Sequence, residues 1–397
     1  MKTLDDIDLA GKRVFLRVDY NVPLDRDRRV ADDTRIRATL PSLHKALGAG
    51  ARVVLASHLG RPKGKVVAEM SLRPAAECLA EILGQPVPLA PDCIGPEVEK
   101  WVARLQAGDV ILLENLRFHA GEEADDPVFS QSLAALADVY VNDAFAVSHR
   151  AHASVHGITR YVKVCAAGYQ LQKEIEYFRK ALQEPKRPVA VVIGGAKVSS
   201  KIGLLENLIP RVDCLLIGGA MANTFLKAGG VSVGSSLVED AFLDTAKQLL
   251  EKAKEKGLKI ILPVDAVVAP GLNAPDAARE VAIDQVPADT QILDVGLKTL
   301  ELYRTTLKNC ATIVWNGPLG AFETHPFHRG TFALAEFLGS LPALTVVGGG
   351  DTAAAVQQAG VAEKVSYVST GGGAFLELME GKILPGVAAL EECRQRS

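Results

Sequence analysis

The feature that most constrains this chain is a repeated unit: a short β-branched run, then glycine or a polar cluster, then a stretch with helical spacing. In the first half it occurs at 13–17 before DYN, 52–56 before SHLGRP, 110–113 before ENLRF and 139–141 before NDAF. The second half shows it in VAVVIGGAK, CLLIGGAM, KIILPVDAV, ATIVWNGPLG, LTVVGGGDT and KVSYVSTGGG. Near-continuous apolar runs suit strands buried on both faces, and intervening helices imply right-handed βαβ crossovers. Both halves therefore read as α/β with mainly parallel sheets.

A chain of 397 residues exceeds the roughly 250–300 at which a single core stops growing, so two domains are expected. The seam falls where Leu171, Ile175, Phe178 and Leu182 make one helical stripe that Pro185 and Pro188 end. The expected architecture is two Rossmann-like domains with mainly parallel sheets, joined by an interdomain helix, with a cleft between them. The domains take 1–169 and 186–372, the helix 170–185, and a last segment, 373–397, follows. Gly371, Gly372 and Gly373 precede that segment and suit a hinge. Ligands of open parallel sheets bind beyond the carboxyl ends of the strands, where the polar clusters fall.

Several function classes are excluded. The formal charge of −3 with no basic run gives no footprint for nucleic acid. No apolar stretch approaches the 18 or more residues of a membrane span, and the charged beginning MKTLDDIDLAGKR lacks a secretory h-region. The six cysteines form no C-x-x-C and are widely spaced, so they read as free thiols in a reducing, cytoplasmic compartment.

Two clusters carry chemistry. The first half sets Asp19, Asn21, Arg35, His58, Arg61, Arg117 and Arg150, with His149 and His152, at strand ends or in the loops that follow. Arginine forks match phosphate and carboxylate oxygens, so their convergence would hold a small, highly charged anion. Asp19 and Asn21 would orient a hydroxyl or fix an arginine. His44, His119, His325 and His328 have no such placement and read as structural or solvated.

In the second half, glycines end a strand and Lys197 and Lys201 are expected on one face of the following helix. Lysines in a first turn oppose the helix dipole unless an anion sits there, which favours a bound phosphate. Gly348, Gly350 and Ala353 fit a G-x-G-x-x-A dinucleotide pattern, yet no acid follows about 20 residues on for a ribose. Asp351 within that loop would repel a pyrophosphate unless Mg²⁺ lay between them, so metal–nucleotide is the better reading. Asn316 offers a phosphate- or loop-fixing amide, and Glu323 an acceptor for ribose hydroxyls. A two-lobed binding protein and a nicotinamide dehydrogenase remain as rival readings of these residues.

The segments RVDYNVP, SHLGRP, ENLRF, NDAFAVSHRAHAS, GGAKVSSKI, WNGPLGAFE, GGGDT and STGGGAFLELMEGKILPG, in this order, resemble the phosphoglycerate kinase family. The resemblance implies Mg²⁺-dependent phosphoryl transfer between 1,3-bisphosphoglycerate and ADP, giving 3-phosphoglycerate and ATP in glycolysis. It implies a monomer that closes about its hinge. By similarity Asp19, Asn21, Arg35, His58, Arg61, Arg117 and Arg150 bind the phosphoglycerate on the first domain. Lys197, Lys201, Asn316, Glu323, Gly349, Gly350, Asp351 and Thr352 match nucleotide-side positions on the second, with Asp351 nearest the metal. Arg35, Lys197 and Lys201 are the catalytic candidates. Phe375 departs from the family, many of whose members have a small hydroxyl residue there.

Overall fold

The structure is a computed structural model and describes residues 1–396. It divides into two compact units, one of residues 1–175 with the segment from Ile383 onward, the other of 176–382.

The first unit is built on five strands, β1 (Arg13–Arg17), β2 (Arg52–Ala56), β3 (Val110–Leu112), β4 (Val139–Asn142) and β5 (Val164–Ala167). They lie in the order β3-β2-β1-β4-β5, every pair parallel. Val14, Phe15, Leu16, Val53, Val54 and Leu55 are fully buried, as strands covered by helices on both faces require. Asp143, just past β4, accepts from the backbone N–H of Gln170 (2.8 Å) and Leu171 (3.2 Å), at the start of the helix Tyr169–Phe178. Burial raises its carboxyl to about 6. The expected stripe holds at Leu171, Phe178 and Leu182, all buried, and a wider π turn over Arg179–Gln183 finishes the helix.

The segment that rejoins this unit is the helix Pro385–Arg396, packed on β5. Gly386 donates its N–H to Ser148 O (2.9 Å), and Leu390 and Cys393 are buried. Cys393 is joined by a disulfide to Cys165 of β5, which corrects the expectation of six free thiols. A separation of 228 residues leaves no spacing signal for such a pair. Cys78, Cys93, Cys214 and Cys310 are free.

The second unit has six parallel strands and a small antiparallel sheet. Its main strands are β6 (Val189–Ile193), β7 (Cys214–Ile217) and β8 (Lys259–Ile261). The antiparallel sheet is β9 (Asp265–Ala269), β10 (Arg279–Ala282) and β11 (Gln291–Val295), in the order β10-β9-β11. The main sheet resumes with β12 (Thr312–Asn316), β13 (Leu344–Gly348) and β14 (Tyr367–Val368), giving the order β14-β13-β12-β6-β7-β8. KIILPVDAV, read in sequence as a β-branched run before a polar cluster, contributes to both sheets. Pro263 lacks the N–H a continuing ladder needs, and the chain leaves one sheet there and enters the other at Asp265. Trp315, Ile313, Tyr303 and Leu216 anchor the core, with the Tyr303 hydroxyl donating to Ile217 O (2.7 Å). Among the described residues no helix is long and apolar enough to cross a membrane.

Candidate active site on two units

In the first unit the sequence candidates collect at the carboxyl ends of the strands. Arg35, on the short helix Thr34–Ala38, donates Nη1 to Asp19 Oδ2 (2.9 Å) and to Asn21 O (3.1 Å). Asn21 Oδ1 accepts from Gly60 N (2.9 Å), so the loop after β1 is pinned to the loop after β2. Here Asp19 fixes an arginine and Asn21 a loop.

Arg117 is 5% exposed and donates Nη1 to Gly60 O (2.9 Å). Its buried Nε has no hydrogen-bond partner; the nearest carboxylate, Glu123, stands at 3.5 Å. A phosphate or carboxylate oxygen is what such a donor accepts best. Arg150, in the turn after β4, donates Nε to His149 Nε2 (3.2 Å). Arg61 lies exposed on the loop after β2.

The charges of Arg17, Arg117 and Arg35, together with burial, hold His58 well below the usual histidine range. Burial and the neighbouring Arg117, Arg17 and Arg150 lower His152 to about 3. Both rings are therefore neutral at pH 7, and the arginines alone supply the positive charge. Two residues of this cluster escaped the sequence reading. Arg17, wholly buried in β1, donates Nε to Ser154 Oγ (2.9 Å) and also hydrogen-bonds Val18 O. Glu122 is also fully buried, accepting from Ser154 N (2.9 Å) and Ser154 Oγ (2.6 Å). Arg17 ends an apolar strand and Glu122 lies in the short helix Ala120–Glu123, and it is the fold that brings the two charges together at Ser154.

In the second unit β6 and β12 are neighbours from which the chain runs outward in both directions, the switch point where open parallel sheets bind ligands. Gly194 N donates to Asn316 O (2.9 Å) across it. A Cβ at Gly194 would stand 2.1 Å from Pro318 O, so only glycine fits. Beyond lies a cavity of about 430 Å³ lined by Lys197, Lys201, Asn316, the glycine loops and Thr352, among others. Lys201 Nζ donates to Asn316 Oδ1 (2.6 Å), and Asn316 Nδ2 donates to Gly348 O (2.8 Å). Gly317 N donates to Thr352 Oγ1 (2.7 Å), closing the floor. Burial lowers the Lys201 pKa, with Glu380 and Asp351 acting against that.

The expectation that Lys197 and Lys201 share the first turn of a helix is corrected: the helix begins at Ile202. Gly195 has φ +106°, and Glu239 accepts from Ser199 N (2.9 Å) and Ser199 Oγ (2.6 Å), which holds 194–201 as a loop. Lys201 then precedes the helix directly, while Lys197 stands exposed on the loop.

Gly349, at φ +98°, and Gly350 open the helix Gly350–Gln358, with Asp351 exposed in its first turn and lining the cavity. One carboxylate beside a phosphate-sized space suits Mg²⁺, which keeps its other places for phosphate oxygens and water. Gly371 caps the helix Gly372–Met379, and Gly372 and Gly373 line the same cavity. Glu323 is exposed and is not among the lining residues. Phe375 is buried against Gly348, where a Cβ would meet its ring at 2.2 Å, and stands edge-on to Phe178 (6.4 Å between centroids). The strand after the G-x-G-x-x-A loop, β14, runs into Ser369 rather than an acid, so the dinucleotide reading lacks its ribose contact.

A family model described as phosphoglycerate kinase matches residues 4–382. The phosphoglycerate kinase of Syntrophobacter fumaroxidans is 66% identical over 397 residues, covering 100% of both chains. That of Desulfosudis oleivorans is 55% identical over 392 residues, covering 98% of this chain and 99% of its own. Among solved structures, phosphoglycerate kinase from Coxiella burnetii superposes with a TM-score of 0.90 at 44% identity, covering 98% of each chain. The enzyme from Pyrococcus horikoshii gives 0.86 at 32% identity, covering 100% of each. An arginine-rich anion site on one α/β unit, a glycine-lined phosphate cavity on another, and these matches from end to end have one reading: the chain belongs to the phosphoglycerate kinase family.

Proposed function

We propose that the first unit holds the phosphoglycerate and the second the nucleotide, and that the chain works as a cytoplasmic monomer with Mg²⁺. The chain is a phosphotransferase, and its family moves a phosphoryl group from 1,3-bisphosphoglycerate to ADP, giving 3-phosphoglycerate and ATP. The observation that supports the division of labour is the contrast between the units. One gathers arginines around the buried, unpartnered Nε of Arg117; the other offers glycine amides around Lys201 and Asn316.

In the direction of ATP synthesis, a β-phosphate oxygen of ADP attacks the acyl phosphorus and the bond from phosphorus to the carboxylate oxygen breaks. In reverse the nucleophile is that carboxylate, ionised near neutral pH. Neither direction needs a general base, and the lowered pKa values of His58 and His152 make both rings weak bases. Catalysis then rests on in-line positioning and on spreading the charge of the moving group. Arg35, steadied through one nitrogen by Asp19 and Asn21, keeps other donors for the transferred group. Lys197 serves it from the nucleotide side, while Lys201 and the amides of the 349–352 loop hold the nucleotide phosphates. Asp351 would hold Mg²⁺, which when bound offsets charge on the phosphate oxygens. Because the two ligand sets belong to separate units, direct transfer requires domain closure during turnover, with Gly371–Gly373 as part of the joint.

The test couples ATP, Mg²⁺ and 3-phosphoglycerate to NADH oxidation through glyceraldehyde-3-phosphate dehydrogenase. NADH loss that needs the acid and the metal, with kcat lowered ~10²–10³-fold in Arg35→Ala, is the expected result. An unchanged kcat in that variant would remove Arg35 from the transition state. Absence of turnover with tight binding of either ligand would instead favour a binding protein.

A further inference from the structure

Outside both ligand sets lies a compact group that the reaction does not use. Asp92, Cys93 and His119 each present one ligand atom, and those atoms all lie within 4.8 Å of one another. His119 Nε2 stands 2.7 Å from Asp92 Oδ1, and Cys93 N donates to the same oxygen (2.6 Å). The His119 ring lies against Phe129, with 5.4 Å between centroids, which restricts its rotation. The imidazole and carboxylate side chains are 31% and 45% exposed, whereas Cys93 is fully buried beneath them. The group thus has a soft ligand at its base and an open side through which an ion and water enter.

We propose that Asp92, Cys93 and His119 form a site for one zinc-class divalent cation, bound through a thiolate, an imidazole nitrogen and a carboxylate oxygen, with water in the fourth position. A mixed S, N, O set of three with one open place is the donor chemistry that zinc accepts and that magnesium and calcium do not. Ligand atoms around a tetrahedral zinc stand roughly 3.4–3.6 Å apart, as its bond lengths dictate. Rotation of the Asp92 and His119 side chains by about an ångström reaches that spacing from the present one. Binding displaces the Cys93 thiol proton, and with it any proton shared between His119 and Asp92, to solvent. Spacing carries no signal of the site, because His119 stands 26 and 27 positions from Cys93 and Asp92 and none of the three falls in a C-x-x-C or H-x-x-x-H pattern.

The test uses the full chain under reducing conditions, titrated with Zn²⁺ alone and, separately, with Co²⁺ alone. One equivalent of tight binding is expected, with a thiolate-to-cobalt charge-transfer band and the visible bands of tetrahedral cobalt. Cys93→Ser should abolish the charge-transfer band. It should also weaken Zn²⁺ binding by more than the ~10–100-fold that loss of an outer partner costs. His119→Gln should weaken binding while keeping the band, which guards against misfolding of the cysteine variant. Cys214→Ser reports on the buried pair Cys214 and Cys310 of the second unit, whose sulfurs stand 3.9 Å apart, and should leave binding unchanged. Equal binding by Cys93→Ser, loss of the band only in Cys214→Ser, or no cobalt–sulfur band in the parent chain would overturn the proposal.

Discussion

Arg17 Nη2 stands 3.3 Å from His58 Nδ1. A guanidinium can only donate, so Nδ1 accepts and the ring proton sits on Nε2. The buried arginine thereby sets the tautomer of a histidine in the anion site as well as adding charge beneath it. Arg17→Lys keeps the charge but loses the fork. The expected outcome is a folded protein whose KM for 3-phosphoglycerate rises about tenfold, the worth of one hydrogen bond, with a smaller change in kcat. Steady-state kinetics beside circular dichroism decide it, and an unchanged KM would confine Arg17 to a packing role.

Lys201 is anchored by Asn316, which is itself anchored to Gly348 O. Lys201→Ala should therefore weaken nucleotide binding about 10–100-fold and leave the affinity for 3-phosphoglycerate alone, since charge-assisted contacts contribute about 1.5–3 kcal/mol. Calorimetry with each ligand separately makes the comparison. Equal weakening of both would mean a damaged fold.

Asp294 is buried beside Gly320 and Gly330, accepts from Gly330 N (2.7 Å) and Val295 N (2.9 Å), and is raised from 3.8 to about 7 by burial. An acid whose folded pKa is raised stabilises the fold least when ionised. Its contribution is full below pH 3.8, falls as pH climbs to about 7, and is level above that. Relative to Asp294→Asn, the parent should lose up to about 1.4 kcal/mol of stability per pH unit inside that window. Urea denaturation at pH 5, 6 and 8 tests this, and a difference that does not change with pH would refute it.

The Cys165–Cys393 disulfide spans 228 residues, so its loss should be felt in the unfolded chain. Cys393→Ser, or the parent under a dithiol reductant, should lower the stability of the first unit by about 2–5 kcal/mol. The second unit should be unaffected. Denaturation followed by hydrogen exchange separates the two, and a uniform drop would contradict the assignment.

What could be read from the sequence was whatever depends on local order. β6, β12 and β13 follow from apolar runs ending in glycine, and Asn316, Gly349 and Thr352 from their place after those runs. Arg17 and Glu122 were hidden because their meaning lies in each other's neighbourhood, about a hundred residues away in the chain. The Lys197 loop misled because glycine followed by lysines and serines also suits a helix start. What prevents it is Glu239, some 40 residues on.

The helix Pro385–Arg396 belongs to the first unit although it follows the whole second unit in the chain. During synthesis the second unit, whose residues are contiguous, can complete its sheet while the first still lacks the cover of β5. Residues 1–175 must therefore wait, with one flank unfinished, through the translation of some 200 more. At ~5–20 residues per second that is an interval of about 10–40 s. A nascent chain stalled before Cys393 would thus carry a finished second unit and an incomplete first one, the reverse of the order in which they are encoded.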